Sequence, residues 1–388
     1  MNHFRDLLLS LLVAMVALSS CRKEEEIIPS SRVRVGVPGR PGKIKGFFLL
    51  NEANMGSNKA TLDYYDYTTA FYTRNIYAER NPNVVKELGD VGNDLQIHGS
   101  RLYAVINVSG LIEVMDVRTA KHIGKLSIPN CRYIAFKDGF AYVSSYAGPV
   151  KIDPNARLGY VAKVDTATLK VVAECPVGYQ PEELLIQGDK LYVANSGGYR
   201  APNYDKTISI IDLKTFTEEK QVDVAINLHR LQLDNYGKIW VSSRGDYKDV
   251  PSQLFVFDPK TERVTKTLEV ACSNMALSGD SLFVYSSEWS YLTGKNTISY
   301  TVIDTKKQEV IDRNFIKDGT DKEIQLPYGL AINSEQGELY LTDAQDYVHP
   351  GQLHCYDLKT GRRKWSVKTG DIPAHIAFTT QPLQPLHH

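Results

Sequence analysis

Residues able to hold a ligand cluster in six irregular stretches of this 388-residue chain: NEANMGSNK from Asn51, SYAGPVKIDPNARLG from Ser145, NSGGYRAPNYDK from Asn195, SRGDYKDVPSQ from Ser243, SEWSYLTGKN from Ser287 and DAQDYVHPGQ from Asp343. They concentrate Tyr146, Tyr199, Tyr204, Tyr247, Trp289, Tyr291 and Tyr347 beside Asn, Arg, Asp and Gly. Aromatic rings stack on flat apolar surface while the polar neighbours hydrogen-bond to amides, so the mixture suits a broad, non-covalent site. The competing reading is that the rings pack the loops against one another, expected of roughly half of them because Tyr is commonly only partly exposed.

A second set stands at the entries of short apolar runs: Asn93, Asp94, Arg132, Tyr133, Glu182, His229, Arg230, Asn274, Tyr328 and His375. They either face a ligand or satisfy backbone groups where strands begin. Catalytic signatures are missing. The sequence holds no HExxH, no GxSxG, no Cys-His-Asp pattern and no multi-His set. Glu182 and Glu183 are neighbours on an expected strand and should point to opposite faces, which weakens them as an acid/base pair. Equal numbers of Lys+Arg and Asp+Glu, 45 each, give no net field for nucleic acid or an anionic membrane. The expectation is a non-enzymatic binding protein without cofactor or metal.

The elements that position these residues repeat. An apolar strand ends in Asp at Asp66, Asp116, Asp165, Asp212, Asp258, Asp304 and Asp357, with Thr three residues later in every copy but the one holding Lys307. The spacings of 50, 49, 47, 46, 46 and 53 residues are those of propeller blades, not of shorter helical or leucine-rich repeats. Asp accepts hydrogen bonds from turn N–H groups and Thr closes the turn, so these aspartates are structural. A strand precedes each mark, beginning at Phe47, Leu102, Ala141, Leu191, Ile239, Leu282 and Leu339. An earlier strand exists for only six copies, at Leu95, Tyr133, Leu184, Leu231, Met275 and Leu330, and the missing one is Ala374–Phe378 at the far end. The fold expected is therefore all-β, a seven-bladed β-propeller of four-stranded blades over residues 46–380. Its C-terminal strand closes the first blade beside Phe47–Leu50 and leaves residues 381–388 as a tail.

Residues 1–20 read as a signal peptide, because the apolar run Leu7–Leu18 is too short to span a bilayer. Leu18-Ser19-Ser20-Cys21 resembles a bacterial lipobox, making Cys21 the expected lipid anchor and that anchor the only membrane contact. The run Arg22-Lys23-Glu24-Glu25-Glu26 resembles the acidic export signal of Bacteroidetes surface lipoproteins, and residues 21–45 as a whole read as a tether. Cys131, Cys175, Cys272 and Cys355 lie in different repeats or at opposite edges of one, and free, largely buried thiols are expected.

Segments such as KLYVANS from Lys190 and TISIIDLKT from Thr207 resemble the YncE or YVTN-like seven-bladed propellers over about residues 46–380. The full YVTN tetrad is absent, so the likeness bears on fold more than on activity. With lipobox and acidic run added, the architecture resembles the BtuG-type surface lipoproteins of gut Bacteroidetes. That resemblance implies capture of cobalamin (vitamin B12) or a related corrinoid and delivery to a BtuB-like TonB-dependent outer-membrane transporter, from an outer-membrane position facing the cell exterior. It also implies that His229 or His375 could ligate cobalt, although a lone His more often hydrogen-bonds. Glycan binding or adhesion, or hydrolase or lyase activity of the kind found in related propellers, are the alternatives.

Overall fold

An apolar strand that ends in Asp builds the same hairpin in every repeat. The Asp Oδ1 atom accepts the N–H two residues on at Thr68 (2.8 Å), Arg118 (2.8 Å), Ala167 (2.9 Å), Lys214 (2.8 Å) and Lys260 (3.0 Å). In the last two repeats it accepts the N–H three residues on, from Lys307 at 2.9 Å and Thr360 at 2.8 Å. The Thr hydroxyl donates back to the same carboxylate in several copies, as from Thr168 at 3.0 Å and Thr360 at 2.8 Å. The residue four after each Asp is left-handed, and in six copies it is not glycine: Ala70, Ala120, Leu169, Phe216, Glu262 and Gln308, with Gly361 in the seventh. A turn closed by a left-handed residue shifts the register by one. That shift is present between Lys163 and Val164 and between Ile210 and Ile211.

The computed structural model of this protein describes residues 30–84, 87–290 and 295–385. Seven antiparallel sheets form, one per repeat. The fourth-repeat blade, for example, runs Pro181–Gln187, Lys190–Asn195, Thr207–Asp212 and Thr217–Asp223 from the axis outward. The seven innermost strands each touch the next around a closed ring. Pro373–Thr379 is the innermost strand of blade one, where it pairs with Gly46–Asn51 and sets Phe47 opposite Phe378 and Leu50 opposite His375. The ring thus closes where the phase of the repeat predicts, and the sheet edges of an open array are buried.

The apolar core lies between blades. Trp240, Leu254 and Val256 of blade five pack with Met275, Leu282 and Val284 of blade six, all nearly inaccessible. The four cysteines are buried and unbridged, as their separation predicts.

Blade one carries a further outer strand. Ser31–Arg34, within the stretch expected to be a tether, pairs antiparallel with Phe71–Arg74, and Arg32 stacks 4.1 Å over the Phe71 ring. All four of its side chains are exposed, so it binds through backbone and leaves no apolar alternation to read. Residues 1–29, with the expected signal peptide and Cys21, lie outside the described residues.

Topology sorts the connections onto two faces. The turns between first and second strands bond to the Asp-marked turns, as in Leu213 N–H to Asp189 O (2.9 Å) and Leu358 N–H to Gly337 O (2.9 Å). The long loops and the links between blades therefore share the opposite face.

Candidate ligand-binding site

On that opposite face most inner strands begin irregularly, the one at Asn274–Ser278 being the regular exception. Register shifts lie between Gly92 and Asp94, Pro181 and Leu184, Leu228 and Leu231, and Pro327 and Leu330. A bulge re-aims the residues it contains. Here it turns the inner-strand entries toward the mouth of the central channel and the neighbouring blade. Hydroxyls at the ends of second strands hold these bulges: Ser144 accepts the Tyr133 N–H (3.1 Å) and donates to Glu182 O (2.7 Å), and Thr342 accepts the Gly329 N–H (2.6 Å) and donates to Pro373 O (2.5 Å).

A cavity of about 920 Å3 opens at the channel mouth. Of the residues singled out from sequence, Asn93, Arg132, Tyr133, His229, Arg230, Tyr247, Trp289, Tyr328 and Tyr347 line it. Its rim is aromatic over three consecutive blades: Tyr247 is 59% exposed, Trp289 54% and Tyr347 42%. Tyr247 and Tyr347 occupy matching Asp-Tyr turns and both have positive φ, 63° and 66°. A bulky side chain there is strained and persists only where its surroundings hold it. The Asp before each tyrosine provides that hold. Asp246 Oδ1 accepts the N–H groups of Lys248, Asp249 and Val250 at 2.8–2.9 Å, and Asp346 Oδ1 accepts those of Val348 and His349 at 3.0 and 2.9 Å.

The floor is charged and mostly paired. Glu182, 1% exposed, accepts from Arg132 (3.1 and 3.2 Å), from Arg244 (3.0 Å) and from the Tyr146 hydroxyl. Burial alone would raise its carboxyl, but the two guanidiniums hold it at about 2, below its ordinary 4.5. Glu183 faces a different environment. It accepts the Leu231 N–H at 2.8 Å, and burial raises its carboxyl against the pull of Arg230. The two acids share no partner, so their adjacency builds no acid/base dyad. Across the mouth, Glu52 accepts from the Tyr328 hydroxyl (2.7 Å) and pairs with His375 Nε2 (3.0 Å).

His229 is engaged through Nε2 with the Tyr133 hydroxyl at 2.9 Å, and its Nδ1 is enclosed without a partner. Burial, reinforced by Arg244, Arg230 and Arg132, keeps the ring neutral. Neither nitrogen is open to a metal in this arrangement. His375 likewise spends Nε2 on Glu52.

The remaining sequence candidates lie elsewhere. Tyr146 is buried, edge-on to Tyr199 at 5.4 Å, and both line a separate cavity of about 830 Å3 beside the short blade-two loop at Asn107–Gly110. Tyr204 is half-buried in the blade-four loop. Asn274 is spent on the backbone, accepting the Met275 N–H at 2.9 Å and donating to Tyr328 O at 3.4 Å. Tyr291 lies outside the described residues. Among the six described loop aromatics, Tyr247, Trp289 and Tyr347 are exposed, while Tyr146 is buried and Tyr199 and Tyr204 are half-buried.

Sequence reasoning missed Arg244 and Glu52. Each directly follows a second strand, Ile239–Ser243 and Gly46–Asn51 respectively. Tyr146 holds the equivalent place after Phe140–Ser145, so aligning the repeats on the end of that strand identifies this ring of positions.

Comparisons with known proteins agree with the architecture. The periplasmic gluconolactonase PpgL of Pseudomonas aeruginosa superposes with a TM-score of 0.60 at 13% identity, over 86% of this chain and 99% of that one. Hydrazine synthase of Kuenenia stuttgartiensis gives 0.57 at 18% identity, over 69% and 77%, and the Neurospora crassa Pan2 WD40 domain 0.51 at 13%, over 75% and 80%. At such identities the likeness is one of fold. No curated protein sequence matches the chain. The model of a domain of unknown function, DUF5074, matches residues 45–379, the whole propeller, and the chain belongs to that family.

Proposed function

We propose that this protein captures a corrinoid, vitamin B12 in particular, at the channel mouth and passes it unchanged to a TonB-dependent outer-membrane transporter. The observation that carries the reading is the rim: three exposed aromatic side chains, Tyr247, Trp289 and Tyr347, over a polar cavity of about 920 Å3. Three exposed rings grouped around one cavity form the kind of apolar surface that a ligand covers. A corrin is broad, flat and edged with amides, so its faces match the rings and its arms match the Asn, Ser and Gln groups between them.

A binding role also accords with the floor. Glu182, the acid most perturbed toward the charged form there, is committed to Arg132 and Arg244 and is not available to move a proton. Anchoring through Cys21, with the acidic run Glu24–Glu26 acting as a surface-export signal, would put the protein at the cell exterior beside the transporter. Replacement of Cys21 by Ser should abolish radiolabelled palmitate incorporation and release the protein from membranes.

The test of the ligand is calorimetric titration with cyanocobalamin. Saturable binding at micromolar concentration or tighter is expected, and no heat at that concentration contradicts the reading. Sugars stack on the same aromatics, so a glycan array run in parallel decides between a corrinoid and a carbohydrate.

A further inference from the structure

Three guanidiniums reach the channel mouth, and they are not equivalent. Arg132 and Arg244 both hydrogen-bond to Glu182, and Arg132 also stacks 4.9 Å from the Tyr146 ring centre. Their donors and charge have partners built by the fold. Arg230 does not. Its nearest carboxylate oxygen, Glu183 Oε1, lies 3.8 Å from Nη1, beyond hydrogen-bond reach, and the other Glu183 oxygen is spent on the Leu231 N–H. Its Nε is enclosed without a partner, and among the described residues no oxygen accepts a hydrogen bond from its side chain. The side chain is only 14% exposed, stacks 5.2 Å from the Tyr133 ring centre and lines the cavity.

A buried guanidinium left with unused donors is costly, and native structures retain such groups where something else completes them. The acids facing the same cavity do not complete it. Glu52 is taken by Tyr328 and His375, Asp346 by His349 and backbone N–H groups, and Glu288, which also lines the cavity, by the Ser252 backbone. Next to Arg230 in sequence, His229 Nδ1 is also unpartnered, so two consecutive bulge residues that line the cavity each retain an unsatisfied polar atom. A planar fork of N–H donors fixed at its base by an aromatic face is the arrangement that receives an oxyanion through paired hydrogen bonds.

We infer that Arg230 is an oxyanion subsite on the channel floor, and that the ligand held by the Tyr247, Trp289 and Tyr347 rim presents a phosphate group to it. The subsite stands on the Arg230 geometry. Only the identity of the phosphate rests on the corrinoid reading, where it is the phosphodiester of the nucleotide loop that cobalamin has and cobinamide lacks. The site then has two parts: a rim that accepts any corrin, and a floor that selects the complete molecule.

The test uses two ligands and one ion on the wild-type chain, on Arg230→Gln and on Arg230→Lys. Calorimetry should show cobalamin bound at least tenfold more tightly than dicyanocobinamide by wild type, with the ratio falling at least tenfold in Arg230→Gln and less in Arg230→Lys. Inorganic phosphate should raise the thermal midpoint of wild type above that in sodium chloride of equal ionic strength, and should not do so in Arg230→Gln. An unchanged cobalamin-to-cobinamide ratio in the variants overturns the inference and leaves the corrinoid reading standing. Failure of both corrinoids with an Arg230-dependent phosphate shift does the reverse. A wild-type chain that responds to neither cobalamin nor phosphate overturns both.

Discussion

The two faces of the propeller are made by the same strands and differ in what their turns are for. On one face, seven Asp-marked turns each close through hydrogen bonding from the N–H two or three residues on to the Asp Oδ1, as Asp212 does with Lys214 and Thr215 at 2.8 and 3.1 Å. On the other, bulges and long loops project Arg, Glu, Tyr and Trp over a cavity, with Tyr247 and Tyr347 held in positive φ. Regularity marks the face that builds the ring, and departures from it mark the face proposed to meet a ligand.

The largest test of that division concerns closure. Ending the chain before Gly370 removes the innermost strand of blade one and exposes Phe47–Leu50, now fully buried. Loss of a single cooperative thermal transition is expected, and a truncated protein that melts like the full chain would show that closure does not hold the ring.

Next in size is Glu182→Gln, which strips the charge shared by two buried guanidiniums on the ligand face. Breaking one side of such a pairing costs about 3–5 kcal/mol, read as a lowered denaturant midpoint at neutral pH. The pH dependence has a definite sign. Glu182 is held at about 2 against an ordinary 4.5, so its contribution is complete above 4.5 and is lost as pH falls through about 2. Buried His354, depressed to about 4 by desolvation, adds a loss that begins as pH drops below 6.5. Acid unfolding of Glu182→Gln should be flatter than that of wild type below pH 4.5.

A matched pair then contrasts the faces directly. Trp289→Ala should weaken ligand binding by about 2 kcal/mol, or roughly 30-fold, as loss of a central aromatic contact does, with a nearly unchanged melting midpoint. Asp212→Ala should lower the midpoint by a few degrees and leave affinity alone. The smallest effect belongs to the turns: Gln308→Gly, at a left-handed position, should stabilise by about 0.5–1 kcal/mol, measured by denaturant unfolding.

The same division governs how much could be read from sequence. Asp marks and strand phase specified seven blades and the place of Ala374–Phe378 because each rests on a local pattern with a fixed period. Ser31–Arg34 escaped notice because a strand bound only through backbone leaves no alternation. At the site, residue type gave candidates but not their fates. Tyr146 and Tyr247 are the same residue in comparable loops, yet one is buried with its hydroxyl on Glu182 and the other stands in solvent. That outcome depends on Glu182, Arg132 and Arg244, which come from three successive blades and converge only once those blades have packed side by side.

The rim decides the account. Cyanocobalamin should be titrated calorimetrically into the wild-type chain and into the triple variant Tyr247→Ala, Trp289→Ala, Tyr347→Ala, with thermal unfolding of both recorded alongside. Saturable one-to-one binding by wild type, weakened at least a hundredfold in the variant at an almost unchanged melting midpoint, is the predicted result. Undiminished binding by the triple variant, or no binding by wild type, would contradict it.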